Sequence, residues 1–237
     1  MNLITTSRKH VKIPIQRLPN EPTKVIIYVL CFNTTTYKKS KQIYAPYLWA
    51  RPILMKYQDY TFENAFWKQL LEISNEWENC DMVGTISHNT YLKMNISRIN
   101  YIIINKLYDS FNYYAFKKYQ NITLFYDIIN TVDHNTKSLL TYMHKNLNNT
   151  TDYHISFSNY WMTTPNLMKQ FINWYTNVCL PLLLTHPACL YEYNYDGHLT
   201  HDQLIQLWGK PYYPIAPFIL ERINTLFFYN LDKYAVA

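Results

Sequence analysis

The stretch Lys24 to Phe32, KVIIYVLCF, decides the fold. It is a continuous apolar run rich in β-branched residues, short, and closed by Asn33-Thr34-Thr35-Thr36. Such a run lacks the apolar-polar alternation of a strand with one wet face, so it reads as a buried strand of the kind found in parallel sheets. Working outward, Pro52 to Met55 (PILM) follows the Pro46–Trp49 loop as a candidate second strand. Thr61 to Trp77 reads as a helix, because Phe62, Phe66, Leu70 and Ile73 recur on one face. Asp59 or Thr61 can cap it, and Glu63 in its first turn suits the helix dipole. Asp81 to Ser87 (DMVGTIS) is a third strand and Asn100 to Asn105 (NYIIIN) a fourth. Strand, helix and strand in this alternation predict βαβ units, hence an α/β fold with a mostly parallel central sheet flanked by helices.

The remainder extends the same domain. Residues 1–23 are polar and punctuated by proline, and read as an N-terminal surface extension. Residues 108–147 read as mainly helical with a break near Asn121, and Tyr153 to Phe157 (YHISF) as a returning strand. Thr164-Pro165 marks a helix start, a capping hydroxyl followed by proline at the first position, and the helix continues through Leu167, Phe171, Trp174, Val178 and Leu182. Thr200 with Gln203 forms a capping box, and Gly209 suits the C′ position of the same short helix. A last helix spans Pro217 to Phe228. With 237 residues and no linker, residues 24–237 read as one domain.

Composition limits the chemistry. Half of the chain is hydrophobic, Tyr counts 24 and Gly only 3. No G-x-G-x-x-G and no P-loop motif is present, so the glycine-rich phosphate cradles are excluded. The formal net charge is +6, with a local cluster at Lys38, Lys39 and Lys41. A solvated basic face accounts for it, and attraction for a diphosphate is the sharper alternative. The tract Tyr113 to Tyr119 (YYAFKKY) imitates a nucleic-acid platform but reads equally as an amphipathic helix. Cys31, Cys80, Cys179 and Cys189 form no C-x-x-C pair, and Cys31 reads as a buried thiol. The N-terminus lacks the apolar core of a signal peptide, and no run of ~18 apolar residues occurs, so the expectation is a cytoplasmic protein without a transmembrane segment.

The ends of parallel strands are where ligands bind in open α/β sheets, which selects the candidates. Gly84-Thr85-Ile86-Ser87-His88-Asn89 leads to Lys93: Thr85, Ser87 and Lys93 can meet a phosphate, and His88 a sugar hydroxyl or a proton. Taken alone, the same residues read as a strand-end turn with a solvated lysine. Glu63, beside Asn64, can accept hydroxyls or act as a base; taken alone, it is a helix-start carboxylate. Asn159, Tyr160 and Trp161, on a loop before the Pro165 helix, suit a sugar platform, and equally suit core aromatics over the sheet. Glu221 and Arg222 stand in a strongly apolar helix about 100° apart. They are either an ion-paired buttress or pocket residues, since an unpaired buried charge is costly. His198, His201 and Asp202 lack zinc spacing. A D-x-D pair is absent, with Asp109, Asp127 and Asp133 isolated.

Pro52-Ile53-Leu54, then Tyr60 to Asn64 (YTFEN), then Glu76-Trp77 and Asp81 to Ser87 with Lys93, form an ordered set. A second set is Asn159 to Met162 with Pro165, Met168, Phe171, Trp174 and Leu180 to Leu183, and a third is Pro217 to Phe228 (PFILERINTLFF). Together, over roughly residues 24–230, they resemble small glycosyltransferase-like proteins of giant algal viruses and bacterial surface-polysaccharide clusters. The resemblance implies a GT-A-like, Rossmann-type sheet, a nucleotide-sugar donor and a glycan or polysaccharide acceptor. By position it makes Glu63, His88, Lys93, Asn159, Glu221 and Arg222 pocket candidates. Joined to the strand-end reading, the expected roles are catalytic for Glu63, Glu221 and His88, donor-binding for Thr85, Ser87, Lys93 and Arg222, and acceptor-binding for Asn159, Tyr160 and Trp161. Such transferases use Mn2+ or Mg2+. Here the missing D-x-D leaves open metal-independent transfer, a metal on one acidic residue, or an inactive domain. A bias toward Asn, Lys, Ile and Tyr, whose codons are AT-rich, fits a viral source, and so a host cytoplasm. The alternatives to a transferase are a non-catalytic carbohydrate- or host-protein-binding module and a nucleic-acid-binding protein; no nucleic-acid partner is expected.

Overall fold

Seven consecutive residues with no exposed position, Val25–Cys31, form the strand β1 on which the domain is built. The computed structural model describes residues 24–109, 112–116, 132–147, 159–195, 197 and 199–229. The expected extension over residues 1–23, the break near Asn121, the strand at Tyr153 to Phe157, and the residues His198 and Asp127 lie outside them.

β1 pairs in parallel with β2 (Ala50–Leu54) on one side and β3 (Met82–Ser87) on the other. Beyond β3 the sheet turns antiparallel, through β5 (Trp161–Thr163) and then β4 (Tyr113–Ala115) at the edge, giving the order β2-β1-β3-β5-β4. The sheet is therefore mixed rather than mostly parallel by pairing: β5 runs against both of its neighbours. What the described residues form is one α/β domain with a five-stranded sheet flanked by helices.

Alternation along β1 divides the core between the two faces. Ile26, Tyr28 and Leu30 pack with Trp67, Trp161, Phe171 and Phe228. Val25, Ile27, Val29 and Cys31 pack on the opposite face with Tyr44, Trp49, Ile99 and Met162. Helix α1 (Thr34–Tyr44) covers the second face. It begins in the polar run after β1, where Asn33 accepts from the Thr36 amide at 2.9 Å and Thr36 returns a bond to the Asn33 amide. This capping box starts the helix, and Tyr37, Ile43 and Tyr44 turn its apolar side to the second core. Lys38, Lys39 and Lys41 are all exposed on it.

The predicted helix from Thr61 to Trp77 is real but broken. It comprises a 3₁₀ turn (Phe62–Ala65), α2 (Phe66–Glu72) and α3 (Ser74–Trp77). Thr61 makes no side-chain cap; the Asp59 carboxylate accepts from the Thr61 amide instead, at 2.7 Å. After β3 come α4 (Thr90–Lys93) and α5 (Ile96–Ile104). The expected fourth strand at Asn100 to Asn105 is thus the end of α5. Ile96, Ile99, Ile102 and Ile103 fall on one buried helical face, and Asn95 caps it by accepting from the Ser97 amide. A short β-branched run carries no length to separate strand from helix, and here the cap and the 3.6-residue spacing win.

Three further expectations change. Tyr113–Ala115, read within a helical tract, is the edge strand β4. Trp161 is in strand β5, not on a loop. Thr164 precedes α7 (Pro165–Trp174) with extended backbone, but its hydroxyl makes no cap bond. The helix α6 (His134–Asn146), capped by Asp133, completes the central stretch. After α7 the chain passes through a π-helical turn (Tyr175–Cys179) into α8 (Leu180–Leu184). Pro181 has no amide to give the preceding turn, and the wider π turn absorbs the loss. The capping box of Thr200 and Gln203 starts α9 (His201–Trp208), and Gly209 ends it at φ 88°. The last helix is α10 (Ala216–Tyr229). Cys31, Cys80, Cys179 and Cys189 are buried and free. No helix among the described residues is long and apolar enough to cross a membrane.

Candidate functional site

The split of β1 toward β2 and β3 puts a topological switch point at the carboxyl ends of the parallel strands, where α/β sheets bind ligands. Ser87 is the last residue of β3, and its side chain is buried. Its hydroxyl stands beside the Glu63 carboxyl, and Lys93 lies close enough to act on the same carboxyl by charge. The short helix α4 brings Lys93 there: Thr90 begins it, and its hydroxyl donates to the Ser87 carbonyl at 2.6 Å. Lys93 is exposed, with its ammonium 5.7 Å from the centre of the Tyr160 ring. Burial pushes the Glu63 carboxyl above the usual carboxylate range, and Ser87 and Lys93 hold it partly down.

Tyr160 is the centre of the group. It is buried, with the hydroxyls of Ser87 and Thr90 near its phenol. Burial above all, then the charges of Glu63 and Glu221, raise that phenol far beyond its ordinary value, so it stays protonated. Glu63 from the 3₁₀ turn and Glu221 from α10 therefore flank one tyrosine. Two carboxylates, a cation and two hydroxyls around a phenol can hold a polyhydroxylated ligand and move a proton.

A buried row of amides ties these elements together. Asn224 donates to the Asn159 side-chain oxygen at 2.7 Å, and Asn159 donates to the Asn64 side-chain oxygen at 3.4 Å. Asn64 also donates to the Thr61 carbonyl, at 3.1 Å. All three side chains are at most 1% exposed. Each neighbours a residue of the group: Asn64 follows Glu63, Asn159 precedes Tyr160, and Asn224 lies one turn beyond Glu221.

The predicted residues thus separate. Glu63, Ser87, Lys93, Tyr160 and Glu221 come together. His88, one residue on, sets its ring edge-on against Phe32 with centroids 5.6 Å apart, beside the end of β1. Thr85 is fully buried and donates to the Asn159 carbonyl at 2.7 Å, so it braces the sheet and is closed to a phosphate. Asn159 is buried in the amide row. Trp161, expected as an acceptor platform, is fully buried, stacked on Trp67 at 5.3 Å and edge-on to Phe171 at 5.1 Å; its place in β5 points it into the core. Arg222, expected at the donor, donates to the Phe218 carbonyl of its own helix at 2.6 Å.

Among the described residues, no three His, Cys, Asp or Glu side chains group so as to hold a metal ion. Glu63 and Glu221 are the two carboxyls of this group, and the cation beside Glu63 is Lys93. The sequence reading missed Thr90 and a set of aromatic side chains around the carboxylates, chiefly Phe62, Tyr195, Tyr213 and Phe218. The signal available for Tyr195 was the alternating Tyr191-Glu192-Tyr193-Asn194-Tyr195. Compared with family models, with curated proteins and with solved structures, the chain matches none.

Proposed function

We propose that the protein is a glycosyltransferase that moves a sugar from a nucleotide-sugar donor to a glycan or polysaccharide acceptor, on a GT-A-like variant of the α/β sheet. One observation carries the reading: Glu63, Ser87, Lys93, Tyr160 and Glu221, drawn from four separate segments, meet at the carboxyl end of β3. Lys93 faces the donor diphosphate and supplies the charge that a divalent metal supplies elsewhere. Glu63, with its raised proton affinity, is the base. It takes the proton of an acceptor hydroxyl as that oxygen bonds to the anomeric carbon. The bond from that carbon to the donor phosphate breaks, and its electron pair leaves with the nucleoside diphosphate. Glu221 faces the positive charge that develops on the sugar ring.

The test is thermal unfolding and donor hydrolysis with UDP-, GDP- and TDP-sugars, each with and without manganese. Stabilisation by at least one donor is expected, and no response to any of them overturns the reading. A second reading, a non-catalytic carbohydrate-binding module, is favoured by a different observation: part-exposed aromatic side chains beside paired carboxylates. Glycan binding without any nucleotide response selects it.

A further inference from the structure

Phe62 immediately precedes Glu63, and its backbone is held at φ 53°. That left-handed conformation costs a bulky residue about 1–3 kcal/mol and persists only where the surroundings enforce it. Held so, the Phe62 ring stacks on Tyr213, with centroids 5.6 Å apart and planes 25° apart. Tyr213 meets Tyr195 edge-on at 5.1 Å, and Tyr195 meets Phe218 edge-on at 4.9 Å. Phe218 lies one helical turn before Glu221.

Tyr213 is fixed from behind. Its hydroxyl accepts from the Leu199 amide at 2.9 Å, and the chain crosses its ring at Gly197, where a Cβ would come to 2.1 Å. In front, Tyr195 is 46% exposed, and Phe62 and Phe218 are partly exposed, Phe218 with the Tyr193 ring against it at 4.2 Å. Burial, the neighbouring Tyr213 and the charges of Glu221 and Glu63 all raise the Tyr195 phenol above its ordinary value, so both carboxylates lie within electrostatic reach of this ring.

Aromatic faces and carboxylates side by side select their ligand. An apolar chain would cover the rings but strip water from the carboxylates without replacing its hydrogen bonds. A pyranose offers C–H faces to the rings and hydroxyl donors to the carboxylates at once. We infer that Tyr195, Phe62 and Phe218 form the platform on which a pyranose of a neutral glycan stacks, with Glu63 and Glu221 accepting its hydroxyls. Naming this glycan the acceptor rests on the transferase reading; the platform itself does not.

The experiment uses saturation-transfer NMR of the full chain with neutral trisaccharides of glucose, N-acetylglucosamine and mannose, followed by titration of any that bind. Tyr195→Ala weakens binding by about tenfold or more, Tyr195→Phe stays within about threefold, and Tyr191→Ala, an exposed tyrosine outside the platform, has no effect. If Tyr195→Ala lowers the unfolding midpoint, Phe218→Leu, which keeps apolar bulk but removes the ring, carries the same expectation. The platform is overturned if the wild-type chain binds none of these sugars. It is overturned too if Tyr195→Ala binds as well as wild type, or if Tyr195→Phe loses as much as the alanine variant. The same proteins are scanned with nucleotide-sugars. Donor stabilisation without trisaccharide binding removes the platform and leaves the transferase; Tyr195-dependent sugar binding without a donor response does the reverse.

Discussion

At Glu63 a single carboxyl is set against its own solvation. Burial raises its proton affinity, and the Ser87 hydroxyl and Lys93 ammonium return part of the cost. Because its folded pKa lies above the unfolded value, its contribution to stability is full below the ordinary carboxylate range. It is lost as pH rises through the folded pKa. Glu63→Gln is therefore expected to gain stability over wild type near pH 7 but not near about pH 4, as thermal midpoints at both pH values will register. On the transferase proposal the same substitution removes the base, and turnover is then expected to fall by about 10²–10⁴-fold. A variant more stable and far less active marks a functional carboxylate; a loss of both at neutral pH would mark a structural one. Glu63 was readable in the sequence as a candidate because it opens a helix after a strand. Its partner Ser87 was readable as a strand end. That they stand side by side was not, because they are brought together by the packing of the 3₁₀ turn over the end of β3.

Elements in this domain are held by contacts that a linear pattern does not reveal. Gly84 pairs with Met162 across β3 and β5, and a Cβ there would approach the Trp161 carbonyl to 2.2 Å. Backbone cannot yield as a flexible side chain can. Gly84→Ala is therefore expected to lower stability by about 1–3 kcal/mol, measured by urea unfolding, through displacement of β5. Asn224→Ala takes away the donor to Asn159 and leaves a buried acceptor, at an expected cost of about 1–3 kcal/mol in the same assay. It also releases the link between α10 and the turn of Glu63, so turnover of the folded fraction should fall as well. Activity in proportion to folded protein alone would show that the amide row only stabilises. The run from Asn100 to Asn105 carries the lesson on legibility. Its isoleucines fit a strand locally, whereas extending the window back to Asn95 exposes the cap and the helical spacing.

For the whole molecule, ligand binding is read as stability. A donor that binds the folded chain alone adds about 2.7 kcal/mol at a hundred times its Kd, visible as a raised unfolding midpoint with UDP-, GDP- or TDP-sugars. The net charge of +6 does not by itself direct the chain to a nucleic acid. Lys38, Lys39 and Lys41 are exposed on α1, whereas Ser40 and Tyr44 are its buried residues, and Tyr113–Ala115 of the basic-aromatic tract belong to an edge strand. What the sequence by itself determined is the α/β class, β1 and β3, the helix starts at Thr200 and Pro165, and the terminal helix. These follow from short-range rules: unbroken apolar runs, caps, and residues three or four apart on one face. Tertiary structure alone decided that β5 enters the sheet antiparallel, that Trp161 and Asn159 are core, that Glu63 and Glu221 flank Tyr160, and that Tyr195 and Phe62 stand beside them. These residues are far apart along the chain, and three-residue strands and single rings have no period to betray their partners. Only the burial of the two sheet faces selects which of them meet.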